Sequence, residues 1–247
     1  PFIFEVRDLW PQVLIDQPGK KNKFLILSLK FIEKLTYKFS THIVVLSKDS
    51  INYIKERGGQ KISWLPNGPD LKLFNFCELP EEKNGFNLKR PFIIIYSGAH
   101  GESNDLLTVL KAAKLIKEFP IRFILIGDGP EKNRLMEFSK NEKNVLFMNP
   151  IPKKDIPNFI KKADSILISL KNIPVFKYGI SPNKLYDAYA IGRPVITNIP
   201  GSINNEVLKH KLGVTCKSEN PNELANSILQ LFYMPRRERK KMGKRAR

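Results

Sequence analysis

Cysteine and histidine are scarce in the sequence, and they form no cluster. Of the 247 residues, only two are cysteines and three are histidines. Cys77 and Cys216 stand far apart, and no DxD sequence or metal-ligand spacing of His and Cys occurs. These absences argue against a disulfide framework or a zinc centre and fit a reducing compartment. We therefore expect a cytoplasmic protein that uses neither a metal ion nor another cofactor.

Long apolar runs and two common nucleotide-binding motifs are also missing. No run of eighteen apolar residues is present, so the sequence predicts no transmembrane helix. The chain has neither GxxxxGK[ST] nor a complete GxGxxG, which disfavours P-loop enzymes and dinucleotide-dependent dehydrogenases. No internal repeat is evident.

Negative charge is in short supply. Forty-two Lys and Arg face 24 Asp and Glu, a net charge of +18. Residues 20–38 hold six lysines and one glutamate, and residues 235–247 hold eight basic residues and one glutamate. Such patches favour an anionic membrane surface, although a lysine-rich genomic bias explains them equally well. No aromatic residues interleave with the basic ones in a nucleic-acid motif, so we expect no nucleic-acid partner.

Short apolar segments alternate with amphipathic ones along the chain. This alternation predicts an α/β fold in which parallel strands are joined by helices. The second half, in which six predicted strands alternate with helices, is typical of a doubly wound Rossmann-like domain. The predicted strands of the chain are 1–8, 42–47, 62–65, 92–97, 121–126, 145–148, 165–170, 194–196 and 213–216.

The composition changes at residues 68–91, which contain three prolines, two glycines and a cluster of charges. A stretch of this kind without hydrophobic periodicity is typical of a linker between domains. We therefore expect one domain at 1–67, a linker at 68–91 and a second domain at 92–234. Residues 235–247 are expected to begin a basic helical segment.

Glycine-rich loops follow two predicted strands of the second domain. The Gly98-x-x-Gly101 loop follows the first, and Gly127-Asp128-Gly129-Pro130 follows the second. Carboxyl ends of parallel strands meet at one sheet edge, where glycines let the backbone approach a phosphate. A plain strand-to-helix turn explains these loops equally well. His100 either donates to such a phosphate or is an ordinary loop residue.

One predicted helix carries a cation and a carboxylate near its amino end. Ser181 is the expected N-cap, Pro182 the first helical residue, and Gly192 the stop. Lys184 and Asp187 project from one face of this helix. A helix amino end suits a phosphate, and a carboxylate can accept hydrogen bonds from a ribose diol. The alternative is that these two side chains form a surface ion pair.

Five segments follow one another along the chain: LPNGPD at 65–70, IIIYSGAHG at 93–101, FILIGDGPEK at 123–132, KKADSILISL at 161–170 and SPNKLYDAYAIGRPVI at 181–196. They resemble, in this order, segments of the family 4 retaining glycosyltransferases of the GT-B fold. The sequences YSGAHG and SPNKLYDAYAIG, together with the earlier EVRDLWP at 5–11, look most like the bacterial branch that includes the L-fucosamine transferases of surface-polysaccharide assembly.

The resemblance implies two Rossmann-like domains of GT-B type, with the first domain only partly present and the chain truncated at both ends. It implies transfer of a hexosyl or N-acetylhexosaminyl group from a nucleotide sugar, with UDP favoured, to a lipid-linked or polysaccharide acceptor. Configuration is expected to be retained through front-face attack assisted by the leaving phosphate. We keep open a nucleotide-sugar-binding fragment without turnover as the alternative.

Site residues follow by resemblance, position by position. Arg7 falls where many members have an active-site histidine, so Arg7 and the adjacent Asp8 are the expected catalytic residues. Gly179 stands where the broader family has the first of two acids, and Ala99 stands where it has an arginine. The implied donor contacts are Gly98, Ala99, His100, Gly101, Ser181, Pro182, Asn183 and Lys184 for the diphosphate, Asp187 for the ribose, and Gly127, Asp128, Gly129, Pro130, Asn149 and Ile151 for the nucleotide loop.

The helix predicted at 22–39 bears lysines beside an apolar stripe, the pattern of a helix at a membrane interface. We expect the stripe to pack into the first domain while Lys23, Lys30, Lys34 and Lys38 face an anionic inner leaflet. The residues of the stripe are Phe24, Leu27, Phe31, Leu35 and Phe39.

Overall fold

The computed structural model describes residues 1–16, 19, 22–74 and 90–247. It contains two compact units, and the chain returns to the first unit twice after entering the second. Most of the predicted linker, with Cys77, lies outside the described residues. The first unit comprises Pro1–Asn67, Asn172–Pro182 and Pro200–Ile203, and the second comprises Gly68–Lys171, Asn183–Ile199 and Asn204–Arg247.

The first unit is built on a three-stranded parallel sheet in the order β1-β2-β3. Its buried centre includes Val45 and Ile54, and Val175 from the returning segment packs there too. Asn22 begins the long helix of this unit, because its side chain accepts hydrogen bonds from two free backbone N–H groups. The elements are β1 (Ile3–Val6), α1 (Gln12–Asp16), α2 (Lys23–Phe39), β2 (His42–Val45), α3 (Ser50–Glu56) and β3 (Ile62–Trp64).

The apolar stripe of α2 does not pack into the first unit, contrary to the sequence prediction. Glu33 and Tyr37 are the buried residues of this helix. Phe24 is 79% exposed and Leu27 67% exposed. The periodicity of α2 was predicted correctly, but the buried face is the one that carries the polar Glu33. Tyrosines 37 and 53 hydrogen-bond that carboxylate and make its burial tolerable.

The second unit is a six-stranded parallel sheet in the order β6-β5-β4-β7-β8-β9. The strand order reverses between β4 and β7, which is where doubly wound sheets bind ligands. No helix in the described ranges is both long and apolar enough to span a bilayer. The elements are β4 (Phe92–Ser97), α4 (Leu106–Leu115), β5 (Ile121–Ile126), α5 (Lys132–Phe138), β6 (Val145–Met148), α6 (Ile156–Ile160), β7 (Ser165–Ser169), α7 (Asn183–Ile191), β8 (Val195–Asn198), α8 (Ser202–Lys209), β9 (Gly213–Thr215), α9 (Pro221–Tyr233) and α10 (Arg236–Ala246).

Helices cover both faces of this sheet, so its strands are almost continuously apolar. Every residue of β7 is buried, and so is every residue of β8. Helices α4 and α9 pack together over one face through residues such as Leu110 and Ile228. The guanidinium of Arg90 holds both carboxylate oxygens of Asp164 at 2.8 Å and fixes the start of β4. The carboxyl ends of the strands are therefore held on a rigid frame.

Candidate functional site

Strand register places three loops side by side at the carboxyl edge of the second sheet. Ser97 pairs with Ile126, and Ile126 pairs with Met148. The next residues along the three strands, Gly98, Gly127 and Asn149, therefore begin neighbouring loops.

Two of these loops interlock. A Cβ atom on Gly127 would lie 1.9 Å from the carbonyl oxygen of Gly98, so only glycine fits at this contact. The backbone N–H of His100 donates to the carbonyl of Asp128 at 2.7 Å, and the N–H of Glu131 donates to the carbonyl of His100 at 3.0 Å. The position of one loop thus fixes that of the other.

The imidazole of His100 is fully buried beneath these loops. Neither ring nitrogen has a hydrogen-bond partner among the described residues, and the ring packs edge-on against Phe147 with centroids 5.7 Å apart. Burial lowers the pKa of His100, with Lys132 and Lys184 adding to the effect. The ring is therefore a neutral support of the loops, and phosphate contact by this side chain stays a prediction.

Lys132, at the start of α5, was not among the predicted site residues. Its ammonium donates to the carbonyl of Gly127 at 2.9 Å and to the Oδ1 of Asn149 at 3.0 Å. This buried lysine joins the second and third loops. Of the other predicted loop residues, Asp128 and Pro130 are exposed. The sequence shows a lysine two residues after the turn at 127–130, but it does not show which loops that lysine joins.

Lys184, in the first turn of α7, extends over the Gly98 loop. Its Nζ lies 3.1 Å from the hydroxyl oxygen of Tyr96 and 3.5 Å from the Oδ1 of Asn104. A Cβ atom on Gly98 would lie 2.8 Å from this Nζ. No acidic side chain in the described part of the chain forms an ion pair with Lys184. Burial lowers the pKa of Lys184 to about 8, as expected for an uncompensated cation.

Asp187 stands one turn further along α7 and does not pair with Lys184, so the alternative of a surface ion pair is wrong. Burial raises the pKa of Asp187 to about 6, and the charge of Lys153 opposes this shift. Asn183, directly before Lys184, is exposed, and so is Ala99 in the Gly98 loop. The second unit therefore presents a free cation and a partly desolvated carboxylate on one helix.

Helix α7 begins at Asn183, so Ser181 is not its N-cap and Pro182 is not its first residue. The Oγ of Ser181 accepts a hydrogen bond from the backbone N–H of Asn67 at 3.2 Å, and the side-chain amide of Asn67 donates to the carbonyl of Ser181 at 2.8 Å. These bonds place Ser181 in the first unit. A cap prediction from local sequence had no access to this long-range partner.

Arg7 and Asp8 follow β1 and are both exposed. The Nε of Arg7 lies 3.8 Å from a carboxylate oxygen of Glu5. They line a cavity of about 360 Å³ within the first unit, together with the buried Glu33, whose pKa is raised by burial. The cavity also has Phe4, Val6, Trp10, Pro11, Leu29, Ile32, Thr36 and Tyr37 in its walls.

Gly179 has no room for a side chain. A Cβ atom there would lie 1.8 Å from the Oγ of Ser47 and 3.0 Å from the Cβ of Asp49. The space beside Gly179, where the resemblance would place the first acid, is thus filled by the side chain of Ser47. No group of three His, Cys, Asp or Glu side chains within the described ranges is arranged to hold a metal ion.

A doubly wound sheet whose switch point carries glycine loops and a basic helix end is typical of α/β proteins that bind phosphorylated ligands. Residues 80–247 match the family described as Glycosyl transferases group 1. The match covers more than half of the chain, which therefore belongs to this family.

A curated relative supports the same family. The chain is 26% identical over 191 residues to the putative colanic acid biosynthesis glycosyl transferase WcaI of Escherichia coli K12. The aligned region covers 70% of this chain and 44% of WcaI, so the chain spans less than half the length of this relative.

Solved structures share the fold at low identity. Sucrose-phosphate synthase of Thermosynechococcus elongatus matches 99% of this chain and 61% of its own with a TM-score of 0.74 and 16% identity. Alr3699/HepE of Anabaena, solved with UDP and glucose, matches 100% of this chain and 65% of its own with a TM-score of 0.71 and 16% identity. The GT-B fold predicted from the sequence is confirmed.

Proposed function

We propose that this protein transfers a sugar from a UDP-sugar to a glycan or lipid-linked acceptor with retention of configuration. The observation that carries the proposal is the ammonium of Lys184, partly desolvated over Gly98 and without an acidic partner among the described residues. Burying an unpaired cation costs free energy, so we expect Lys184 to pair with a bound anion when the protein functions. Asp187, one turn away, suits the hydroxyls of a ribose.

The chain's own groups act on the leaving group. As the bond between the sugar carbon and the diphosphate breaks, negative charge grows on the diphosphate. We assign the stabilisation of that charge to Lys184, to the amino end of α7 and to the backbone N–H groups of Ala99 and Gly101, since those of Gly98 and His100 already donate to Ile126 and Asp128. The acceptor hydroxyl attacks from the same face and its proton passes to the diphosphate, so no side-chain nucleophile or metal ion is invoked. Arg7 and Asp8 are proposed to serve the acceptor.

The sugar and acceptor class rest on relatives. WcaI is named for colanic acid biosynthesis, and HepE was solved with UDP and glucose. With these names and the resemblance to the L-fucosamine branch, we propose a hexosyl or N-acetylhexosaminyl donor and a bacterial surface polysaccharide as the product.

The exposed face of helix α2 supports the proposal that the protein works at the cytoplasmic surface of a membrane, where it would meet a lipid-linked acceptor. Helix α2 exposes Phe24, Leu27 and Phe31 together with the exposed Lys23 and Lys30. Exposed apolar residues flanked by lysines favour the interface of an anionic bilayer. We propose peripheral attachment to the inner leaflet through this helix.

A panel of ligands tests the donor. The thermal unfolding midpoint is measured with UDP, GDP, their glucose and N-acetylglucosamine derivatives, and uridine, in the presence and absence of EDTA. A UDP-specific rise that EDTA leaves unchanged is expected, and equal shifts for GDP would contradict the nucleotide assignment. NMR of the anomeric proton of the product then decides between retention and inversion.

Catalytic impairment is the second candidate function, and Gly179 favours it. If the missing acid is indispensable, the protein will bind UDP-sugars without hydrolysing or transferring them. Donor binding without product formation, in the presence of a competent acceptor pool from bacterial membranes, would support this candidate.

A further inference from the structure

The Gly98 loop carries no cation of its own. The resemblance would place an arginine at Ala99, and the positive charge beside this loop comes from Lys184 on α7. A lysine side chain is flexible, and a point charge on a flexible stem stabilises an anion only if it is held in place. Other groups must therefore hold this ammonium in position, and the structure shows which group does so.

Tyr96 holds the ammonium of Lys184 in position. It lies on β4, two residues before Gly98, and is fully buried. Its hydroxyl donates a hydrogen bond to the carbonyl of Ala99 at 2.7 Å and accepts one from the Nζ of Lys184 at 3.1 Å. The same Nζ lies 4.2 Å from the centroid of the Tyr96 ring. One side chain thus holds both the loop backbone and the cation.

The chemistry of the hydroxyl fixes its two roles. A phenol has one proton to donate and lone pairs to accept with, so donation to Ala99 leaves the lone pairs for Lys184. Burial raises the pKa of Tyr96, which keeps the hydroxyl protonated at neutral pH. The aromatic ring adds a cation–π attraction that does not neutralise the ammonium. Lys184 is thereby oriented and remains free to meet an anion.

We propose that Tyr96 is a positioning residue for the donor diphosphate, acting through Lys184 and the Ala99 carbonyl without touching the donor itself. The proposal rests on the proposed function, because it takes the diphosphate as the ligand of Lys184. It also explains how a loop that lacks the family's arginine can still receive a phosphate.

The Tyr96→Phe variant removes the hydroxyl and keeps the ring. Calorimetric titration of wild type and variant uses three probes: UDP, inorganic pyrophosphate and uridine. We expect UDP and pyrophosphate to bind about three- to tenfold more weakly, the scale of one hydrogen bond, with uridine unchanged. Tyr189→Phe is the matched control. It removes a hydroxyl from α7 that has no partner among the described residues, and it should change none of the affinities.

A double-mutant cycle separates positioning from general packing. If Tyr96 acts mainly through Lys184, the loss of pyrophosphate affinity caused by Tyr96→Phe should be clearly smaller in the Lys184→Gln background than in the wild type, and what remains reports the Ala99 contact. Additive losses, or a Tyr96→Phe variant with wild-type affinity for pyrophosphate, would overturn the proposal.

The pH dependence of pyrophosphate affinity is a further test, because a purely structural role of Tyr96 would leave it unchanged. Without the hydroxyl, the charged form of Lys184 loses an acceptor, so the fall in pyrophosphate affinity with rising pH should begin at lower pH. Tyr96 and His100 are the titratable groups that face Lys184, and profiles are taken above pH 7 to keep His100 neutral. An unchanged profile would overturn the proposal.

The probes also separate this proposal from the proposed function. Wild-type protein that binds pyrophosphate but not UDP would overturn the nucleotide assignment and leave the Tyr96 cycle measurable. Protein that binds neither would overturn both.

Discussion

The side chain of Ser47 leaves no space for a side chain at Gly179, because a Cβ atom there would lie 1.8 Å from the Oγ of Ser47. The backbone of Gly179 has a φ of +83°, which side chains adopt only with strain. A carboxylate side chain at this position, where the resemblance would place the first acid, is thus excluded by both space and backbone conformation.

Restoring that acid should therefore damage the protein. We predict that Gly179→Glu lowers the free energy of unfolding by about 2–4 kcal/mol, combining overpacking with backbone strain. Urea unfolding measures this change. Gly68→Glu is the matched control, because a Cβ at Gly68 meets nothing within 4 Å. A Gly179→Glu variant as stable as the control would show that the Ser47 loop moves aside readily.

Asp187 should bind the nucleotide only when ionised. Its folded-state pKa of about 6 lies above the unfolded value near 3.9, so UDP affinity should fall as the pH drops through 6. Asp187→Asn should weaken UDP binding by about 1–3 kcal/mol and remove this pH dependence. Asp187→Glu keeps the carboxylate and should retain most of the affinity. Calorimetry at pH 5 to 8 measures both, and an Asn variant with wild-type affinity would rule out the ribose assignment.

The same shift has the opposite sign for stability. Because the folded state holds the Asp187 proton more tightly than the unfolded state, stability decreases as the pH rises from about 4 to 6. Asp187→Asn should therefore unfold at a higher urea concentration than wild type at pH 7. The site carboxylate is retained at the expense of stability, as is common in binding sites.

Lys184 should take up a proton when a diphosphate binds above pH 8. Its pKa of about 8 leaves it largely neutral at pH 8.5 to 9, and a bound diphosphate favours the charged form. Titrations of UDP in two buffers with different ionisation enthalpies measure this uptake. Lys184→Gln should abolish it and weaken UDP binding far more than uridine binding, whereas the exposed Lys209→Gln should change neither. Equal losses for UDP and uridine would mean that Lys184 acts on the fold.

His100 should make the protein acid-sensitive. Its pKa is lowered by burial, so below about pH 6.5 the unfolded state binds a proton that the folded state does not. Stability therefore falls as the pH drops from 6.5 towards the folded-state pKa. His100→Leu should lose less stability between pH 7 and 5 than wild type, as urea unfolding at the two pH values would reveal. His210→Leu, at an exposed position, is the control, and a parallel decline in wild type and His100→Leu would contradict the assignment.

Local patterns predicted the strands of the second unit well, because runs such as Phe92–Ser97 are buried on both faces and read as apolar without interruption. The short helix α1 was missed, whereas the basic helical segment predicted from residue 235 is present as α10. Gly243 anchors α10, since a Cβ there would lie 1.9 Å from the carbonyl oxygen of Gly192. A contact between residues so far apart in sequence leaves no local signal.

In the candidate site, too, some residues could be predicted from local sequence and others could not. The glycines at 98 and 127 and the helix with Lys184 could be located because register and strand ends follow from the α/β pattern. Tyr96 and Lys132 could not, because their roles depend on which loops their polar ends reach across the sheet edge. A tyrosine within a buried strand does signal a buried hydroxyl partner, but it does not identify that partner.

The exposed face of α2 gives the last prediction. Each lysine near an anionic bilayer contributes roughly 1 kcal/mol, and apolar side chains at the interface add a term that does not depend on salt. The protein should co-sediment with liposomes that contain phosphatidylglycerol and should dissociate in part as salt is raised. Changing Lys23, Lys30, Lys34 and Lys38 to Gln should remove the salt-dependent part, and changing Phe24, Leu27 and Phe31 to Ser should remove the remainder. The matched control changes four exposed lysines of the second unit, Lys143, Lys209, Lys211 and Lys217, to Gln and should leave binding intact. Equal binding to neutral liposomes, or none to anionic ones, would contradict charge-driven attachment and leave the lysine excess as a genomic bias.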